Sequence, residues 1–397
     1  MIQPASIQSS VRTSRVPRIH LVLTFLAFIL IGANDGALGV LIPSMRAFYH
    51  IDTVTISWLF LTFSIGYLSA SFNTGLLMAK LGERRFLLLG IALFILGAGL
   101  FSLQPPFALF LCAGTQLGFS VGIIDAGINA YVASLPNNAT LLNYLHAFYG
   151  VGALLGPLGA AGLLALHFGW QATYLVWLCL ALLIFLGFWL AFKHQLQPAS
   201  SDHNGNVLFD TLRLRSVWLV ALFLFFYAGV EVGLGNWNYS FLTVARSGPA
   251  LLSAWIVSGY WLGLTLGRLT LANLAPRLGA RRLMTLCLSG VMLGLLLAWF
   301  IPNLWGAALG LCLVGFCLGP LFPTAIALMS QLAPSRLLPS AIGFLASFGS
   351  AGVAFFPWLA GNFVQRLGFW TLLPFAFVVT VGMFGVWVVL NRLPKQE

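Results

Sequence analysis

The stretch Ile31-Gly-Ala-Asn-Asp-Gly-Ala-Leu-Gly-Val-Leu-Ile-Pro43 places an amide and a carboxyl, Asn34 and Asp35, in the middle of a long apolar run. A charged residue at the centre of a membrane helix costs about 2.5–3.5 kcal/mol on insertion scales, so it faces a polar partner or a water-filled cavity. The glycines of this stretch favour the close approach of a neighbouring helix or a ligand. We interpret Asp35 as a marker of a transport pathway. The alternative is an acid neutralised by a structural partner.

The rest of the chain has the composition of a polytopic membrane protein. Of its 397 residues, 60% are hydrophobic and 7% are charged, whereas a soluble domain averages about 25% charged residues. At about 20 apolar residues per span, the chain accommodates about twelve helices. We predict an all-α membrane protein with spans at 19–42, 54–79, 85–103, 107–134, 141–166, 170–192, 216–243, 250–276, 282–301, 304–331, 338–364 and 369–391.

The net charge of +11 is distributed unevenly. Lys and Arg concentrate at the tails and at every second connection, while the alternate connections carry only Arg46, Arg246 and Arg366. This is the positive-inside pattern, which predicts an integral plasma (inner) membrane protein with both termini in the cytoplasm. The partners we expect are the lipid bilayer and a small molecule, and not nucleic acid. The five cysteines lack metal-ligand spacing and a disulfide framework, so we expect no metal.

A polar connection divides the chain into two halves. We predict a cytoplasmic tail at 1–18 that is not a cleaved signal peptide, six-helix bundles at 19–192 and 216–392, a cytoplasmic linker at 193–215 and a tail at 393–397. The loop Gly75-Leu-Leu-Met-Ala-Lys-Leu-Gly-Glu-Arg-Arg85 after span two is similar to Ala272-Asn-Leu-Ala-Pro-Arg-Leu-Gly-Ala-Arg-Arg282 after span eight. Two repeated halves with a substrate site between them at the midplane are a known transporter plan.

Both loops resemble the loop signature of the major facilitator superfamily, G-x-L-x-D-R-x-G-R-R. The acid position of that signature holds Ala79 and Pro276, and Glu83 is the candidate substitute in the first copy. The resemblance implies the superfamily fold, with twelve transmembrane helices in two pseudo-symmetric halves. It also implies gating or structural roles for Lys80, Gly82, Arg84, Arg85, Arg277, Gly279 and Arg281. Alternatively, the basic loops simply anchor helix ends in an anionic leaflet.

Three acids lie within predicted spans: Asp35, Asp125 and Glu231. Asp125 and Asn129 are four residues apart and share one helix face. Two acids at different depths suit a proton relay or a coupled-ion site, and we predict ion coupling by Asp35, Asp125 and His146. The alternatives are that Asp125 pairs with a structural partner and that His146 is a structural hydrogen-bond donor. Arg268 pairs with an acid or extends to the headgroups, and we assign it a structural or gating role.

Span seven carries the residues best suited to a sugar. Asn and Glu side chains form bidentate hydrogen bonds with pairs of hydroxyls, and a Trp ring offers a flat apolar face with a donor at its edge. Alternatively, Trp237 and Tyr239 belong to an interfacial aromatic belt. The predicted substrate-binding residues are Asn34, Asn129, Asn143, Glu231, Asn236, Trp237, Asn238, Tyr260 and Trp261.

Four stretches resemble the fucose–proton symporter branch and its sodium-dependent glucose transporter-like relatives. They are Asn34-Asp35, Asp125 with Gly127 and Asn129, Asn143-Tyr-Leu-His146, and Glu231 with Trp237. In that branch, acids in spans one and four serve coupling and sugar binding. The resemblance implies cation-coupled symport of a neutral, hexose-like sugar by alternating access, with the proton preferred to sodium, and no other cofactor.

Two further classes of function stay open, and an enzyme is not expected. Proton-coupled efflux of amphipathic drugs or metabolites draws on the 34 phenylalanines and on a partial antiporter motif around Gly156-Pro157. A non-transporting receptor is the other class. The chain shows no nucleophile–base pair or phosphate loop that would indicate an enzyme. One chain of twelve helices forms a complete pathway, so we expect a monomer.

Overall fold

The computed structural model describes residues 18–135, 138–192, 205–271, 275–334 and 336–392. Across these ranges the chain is helical and contains no strand, which confirms the predicted all-α class. Short 3-10 and π turns follow α13 and α7. The helices are α1 (Arg18–Tyr49), α2 (Thr53–Ser102), α3 (Phe107–Ala133), α4 (Asn138–Ala165), α5 (Gln171–Ala191), α6 (Gly205–Leu212), α7 (Arg215–Ser240), α8 (Ala250–Thr270), α9 (Ala275–Leu278), α10 (Ala280–Phe300), α11 (Leu304–Leu318), α12 (Leu321–Leu332), α13 (Leu338–Leu367) and α14 (Leu372–Asn391).

The described residues contain eleven helical segments that are long and apolar enough to cross a membrane. One of them, α2, has 50 residues and breaks at Gly82, where φ is 72° and ψ is 157°. A helix of that length measures about 75 Å, which is enough for two crossings of a hydrocarbon core of about 30 Å. The non-helical Gly82 separates two helical parts that match the predicted spans at 54–79 and 85–103, so the described residues supply twelve helical crossings.

Three predicted boundaries differ from the structure. The first span extends past its predicted end at residue 42, because Pro43 is accommodated inside α1. The predicted span at 304–331 divides into α11 and α12 at Gly319 and Pro320. Residues 205–212 of the predicted linker form the helix α6, whose Asp210 accepts a 2.8 Å ion-pair contact from Arg336. Residues 193–204 and the tails at 1–17 and 393–397 lie outside the described part of the chain.

Individual packing contacts repeat in the two halves at a spacing of 197 residues. A Cβ atom added at Gly118 on α3 would overlap the carbonyl oxygen of Phe63 on α2, and one added at Gly315 on α11 would overlap that of Tyr260 on α8. The contact of Gly66 with Thr115 recurs as that of Gly263 with Cys312. The contact of Gly122 with Tyr67 recurs as that of Gly319 with Leu264. The second half therefore repeats the helix packing of the first, as the predicted pseudo-symmetry requires.

The two similar loops also share a backbone conformation. Gly82 has φ 72° and ψ 157°, and Gly279 has φ 81° and ψ 138°, an extended backbone with positive φ that costs a residue with a Cβ about 1–3 kcal/mol. In both loops the glycine separates two helices and precedes the basic pair. The sequence similarity of the loops thus corresponds to one turn that occurs twice.

The two halves contact each other mainly at one side of the molecule. We call the side where α1 begins and α14 ends the terminal face, and the other side the opposite face. At the opposite face, the Thr53 amide on α2 donates to Gln365 Oε1 on α13 at 3.0 Å, and the rings of Trp58 and Trp358 lie 6.2 Å apart. Near the terminal face, the α2 and α4 side chains Ser69, Ser71, Asn73, Asn143 and His146 are exposed. Because polar side chains within a membrane span avoid lipid, we infer from their exposure that the halves separate toward the terminal face and leave an opening with polar walls.

Candidate functional site

Asp35 is held by a close contact between α1 and α4. A Cβ atom at Gly32 or Gly36 on α1 would overlap α4 backbone, so the glycines let the helices meet. The phenol of Tyr149 on α4 consequently reaches Asp35 and donates to its Oδ2 at 2.9 Å, while Asn34 Nδ2 donates to Oδ1 at 3.2 Å. The carboxyl therefore has two neutral hydrogen-bond donors.

Asp125 has an equivalent environment between α2 and α3. Tyr67 donates its phenolic proton to Asp125 Oδ2 at 2.5 Å, and Asn129 Nδ2 donates to Oδ1 at 2.8 Å. The prediction that Asp125 and Asn129 share a helix face is confirmed. The structural alternative requires a partner for Asp125, and Asn129 is such a partner, but it leaves the carboxyl without a neutralising charge.

The acid on α7 differs from these two because it has a cation. Arg268 Nη2 on α8 lies 2.8 Å from Glu231 Oε1, and the two side chains are 27% and 12% exposed. Arg268 also donates to Tyr227 Oη at 3.5 Å, and Tyr260 Oη donates to the Glu231 carbonyl at 2.8 Å. Among the described residues, the salt bridges join Glu231 to Arg268 and Asp210 to Arg336, and neither includes Asp35 or Asp125.

The remaining predicted sugar-binding residues of α7 and α8 are packed between helices. Trp237 is fully buried, donates from Nε1 to the Pro357 carbonyl at 2.9 Å and packs against the ring of Phe60 in the other half. The other buried members of this group are Asn236, Asn238, Tyr260 and Trp261. In this conformation Trp237 is an element of the contact between the halves and not a surface for stacking. Substrate binding by these residues stays a prediction.

Asn143 and His146 lie on the wall of the opening and are exposed. The His146 ring makes an edge contact with Phe28, with centroids 5.9 Å apart. His146 lies within electrostatic reach of Asp125 and Arg268. In the described part of the chain it forms no hydrogen bond with Asp125, so the predicted transfer of a proton between them would require a water molecule or a rotamer change.

The predicted gating residues of the two similar loops lie at the terminal face, whereas Arg268 lies within a span and binds Glu231. Arg84 donates to the Trp189 carbonyl on α5 at 3.0 Å and lies over the Trp189 ring at 5.3 Å. The Arg84 contact therefore joins helices of one half. Arg281 is half-buried, and Lys80, Arg85 and Arg277 are exposed. Their role in gating stays a prediction.

Tyr149 and Tyr67, which donate hydrogen bonds to Asp35 and Asp125, were not among the predicted site residues. Tyr149 follows Asn143 and His146 at helical spacing, and Tyr67 lies in the polar series Ser64, Tyr67, Ser71 and Thr74. Both series indicate a polar helix face, and this signal identifies candidate partners. The choice of acid for each tyrosine depends on the contact between helices, which the sequence of one helix does not contain.

The family model of the Major Facilitator Superfamily matches residues 24–245 and 234–397. Bypass of stop codon protein 6 of Saccharomyces cerevisiae is 26% identical over 97% of this chain and 84% of its own length. Two proteins of Bacillus subtilis are similar at the same level. The glucose/mannose transporter GlcP is 23% identical over 91% of this chain and 90% of its own, and multidrug resistance protein 2 is 24% identical over 87% and 90%.

A solved structure confirms the fold. It is that of a bacterial homologue of the human lysosomal transporter Spinster in an inward-facing and occupied conformation. It superposes with a TM-score of 0.83 over 97% of this chain and 99% of the other, at 13% sequence identity. At that identity the likeness concerns the arrangement of the helices.

Proposed function

Because the chain belongs to the Major Facilitator Superfamily and is a membrane transporter, not an enzyme, we propose that it carries out proton-coupled symport of a neutral, hexose-like sugar. The two halves rock about the midplane and expose the site to one side at a time. We place both termini in the cytoplasm, so that the opening at the terminal face corresponds to the inward-open state. One chain supplies all the charged residues of this site, and a monomer is sufficient.

The observation that supports proton coupling is the difference between the acids. Asp35 and Asp125 accept hydrogen bonds from amides and phenols, whereas Glu231 is paired with Arg268. A fixed cation stabilises a carboxylate and opposes its protonation, while neutral donors oppose it less. We therefore assign the loading and release of a proton to Asp35 and Asp125, and not to Glu231.

Sugar as the substrate is supported by the polar wall of the opening and by one relative. The exposed amide of Asn143 supplies both donors and an acceptor, as hydroxyl groups require. Asn129 lies one turn from Asp125 on the same helix. A relative similar over nine-tenths of the chain carries the name glucose/mannose transporter. These residues would bind the sugar close to the carboxyls that bind the proton.

The test is sugar uptake into proteoliposomes with an imposed pH gradient. We expect Asp35→Asn and Asp125→Asn to lose accumulation against a gradient but to retain exchange of labelled for unlabelled sugar, because exchange requires no net proton movement. The matched control is Asp210→Asn, which removes an exposed acid outside the site. Accumulation by Asp35→Asn at the level of the unmodified protein would contradict proton coupling at this residue. Accumulation that follows sodium at constant pH would identify sodium as the ion.

Export of amphipathic compounds is the second candidate. It is favoured by the similarity to multidrug resistance protein 2 and by a series of aromatic rings along α7 and α13. The series includes Phe225, Phe348 and Phe355, whose centroids lie 5.8–5.9 Å apart around Phe225. Compound sensitivity of cells with and without the protein would separate the two candidates. Protection against lipophilic cations without sugar uptake would favour export.

A further inference from the structure

Tyr149 lies between Asp35 of the first half and the Glu231–Arg268 ion pair of the second half. Its hydroxyl donates to Asp35 Oδ2 at 2.9 Å. The residue after it, Gly150, is packed so closely against Thr265 on α8 that a Cβ atom would overlap the Thr265 hydroxyl. One turn further along α4, the Leu154 carbonyl accepts a 2.8 Å hydrogen bond from Ser258 on α8. This segment of α4 is therefore held against α8.

The helix contact brings Tyr149 near the Glu231–Arg268 pair. Thr265 and Arg268 are three residues apart on α8 and share a face. The charges of Asp35, Glu231 and Arg268 all act on the Tyr149 hydroxyl. A phenol has one proton to donate, so Tyr149 cannot donate to Asp35 and to Glu231 at the same time.

The ionisable groups around Asp35 belong to four further helices. They are Asp125 on α3, Tyr67 on α2, Tyr149 on α4 and Tyr174 on α5. All are acids or phenols. Tyr149 differs from the others because the ion pair of the second half also acts on it.

We propose that Tyr149 is a positioning residue that links the protonation of Asp35 to the Glu231–Arg268 pair. This inference rests on the proposed proton coupling and adds its route between the halves. While Asp35 is charged, Tyr149 donates to it. When Asp35 receives a proton from water, its neutral carboxyl is a weaker acceptor, and the phenol turns to the Glu231 carboxylate. The Glu231 carboxylate then accepts hydrogen bonds from both Tyr149 and Arg268. No covalent bond of the tyrosine changes.

The first experiment measures the thermal midpoint of the purified full chain as a function of pH, without ligand. The transition that disappears in Asp35→Asn is assigned to this carboxyl. We expect Tyr149→Phe to move that transition to higher pH by about one unit, because the carboxylate loses a donor that stabilises its charged form. Tyr144→Phe, an exposed tyrosine of the same helix, is the control and leaves it in place. An unmoved transition in Tyr149→Phe overturns the proposal.

The second experiment tests the link itself with a double-mutant cycle of Asp35→Asn, which keeps the shape of the side chain, and Arg268→Lys, which keeps the positive charge but changes the donor geometry. We expect their effects on the thermal midpoint to be non-additive in the unmodified background and additive in Tyr149→Phe. The proposal is overturned if the two substitutions are equally non-additive in the unmodified and the Tyr149→Phe backgrounds, or if they are additive in the unmodified background. Neither experiment requires a sugar. If the link is found and no sugar is transported, the substrate assignment is wrong and the role of Tyr149 stands.

Discussion

Asp35 and Glu231 occupy similar depths in the first helix of each half, but their neighbours differ. Asp35 accepts from an amide and a phenol, and Glu231 binds Arg268. Spacing within a helix was sufficient to predict that Asp125 and Asn129 share a face, and an arginine inside a span indicated a paired acid. The tyrosine partners could not be assigned in this way, because each donor comes from another helix. The acid that Arg268 binds was undetermined for the same reason.

The Glu231–Arg268 pair predicts a large loss of stability when one partner is removed. Arg268→Met leaves a carboxylate that is only 12% exposed without its cation, and we expect a loss of about 3–5 kcal/mol in the free energy of unfolding. The double variant Arg268→Met/Glu231→Leu should regain most of it, since no buried charge remains. Denaturant unfolding in detergent measures both.

A control for this prediction lies at the surface. Arg336→Met removes the cation from Asp210, in a pair whose side chains are 72% and 37% exposed. A surface pair contributes about 0–1 kcal/mol, so we expect little change. Equal losses of unfolding free energy in Arg268→Met and Arg336→Met would show that the intramembrane pair contributes no more to stability than the surface pair.

At the scale of the helices, glycines determine which elements meet. Gly152 and Gly156 on α4 would each overlap α1 backbone if they carried a Cβ atom, and this contact brings Tyr149 to Asp35. The apolar runs were sufficient to predict the helices, and the small residues correctly indicated a close helix contact. Two features were not predicted from hydropathy, namely the break between α11 and α12 and the helix α6. Hydropathy reports burial in lipid and is insensitive to the backbone angle of a single residue.

The α1–α4 contact predicts opposite effects of one substitution at two glycines of α4. Gly152→Ala forces a methyl group into the Ile29 carbonyl of α1, and we expect a loss of about 1–3 kcal/mol. Gly162→Ala, with open space around its Cβ position, should be neutral or gain up to about 1 kcal/mol from helix propensity. Thermal unfolding in the same detergent compares them. Similar midpoints for the two variants would disprove the close approach.

At the scale of the whole molecule, the contacts at the opposite face hold the halves in the observed conformation. The number of spans could be predicted from the apolar runs, and the repeat from the two similar loops. The conformation could not, because the sequence of an alternating-access transporter must be compatible with at least two arrangements of the halves. Trp237 illustrates this limit, since its predicted role in substrate binding requires an exposed ring and the ring is buried in this arrangement.

The hydrogen bond from the Thr53 amide to Gln365 predicts a shift between these arrangements. Gln365→Leu keeps the size of the side chain but removes the acceptor of this hydrogen bond. The loss of one hydrogen bond costs about 1 kcal/mol, which corresponds to about a fivefold change in the ratio of two conformations. Spin labels at Leu166 and Trp305, two exposed positions of the opposite face in different halves, should report longer distances. The measurement uses a cysteine-free background.

The control for this shift is Asn362→Leu, on the same helix. Asn362 donates within α13, to the Trp358 carbonyl at 2.9 Å, and makes no bond between the halves. We expect the distances in this variant to match those of the unmodified protein. An unchanged distribution in Gln365→Leu would show that the other contacts of the opposite face hold it closed.

The spacing of 197 residues between equivalent contacts also allows the site residues of one half to be compared with the corresponding positions of the other. Tyr67 and Asp125 of the first half correspond to Leu264 and Phe322 of the second, and Ser71 corresponds to Arg268. The two halves thus share one backbone framework, and the titratable pair and the fixed cation are side-chain differences at corresponding positions of that framework. The two halves carry different chemistry without any difference of architecture. On this plan, we expect a change of coupling ion or of cargo to require the alteration of a few side chains and not of the frame.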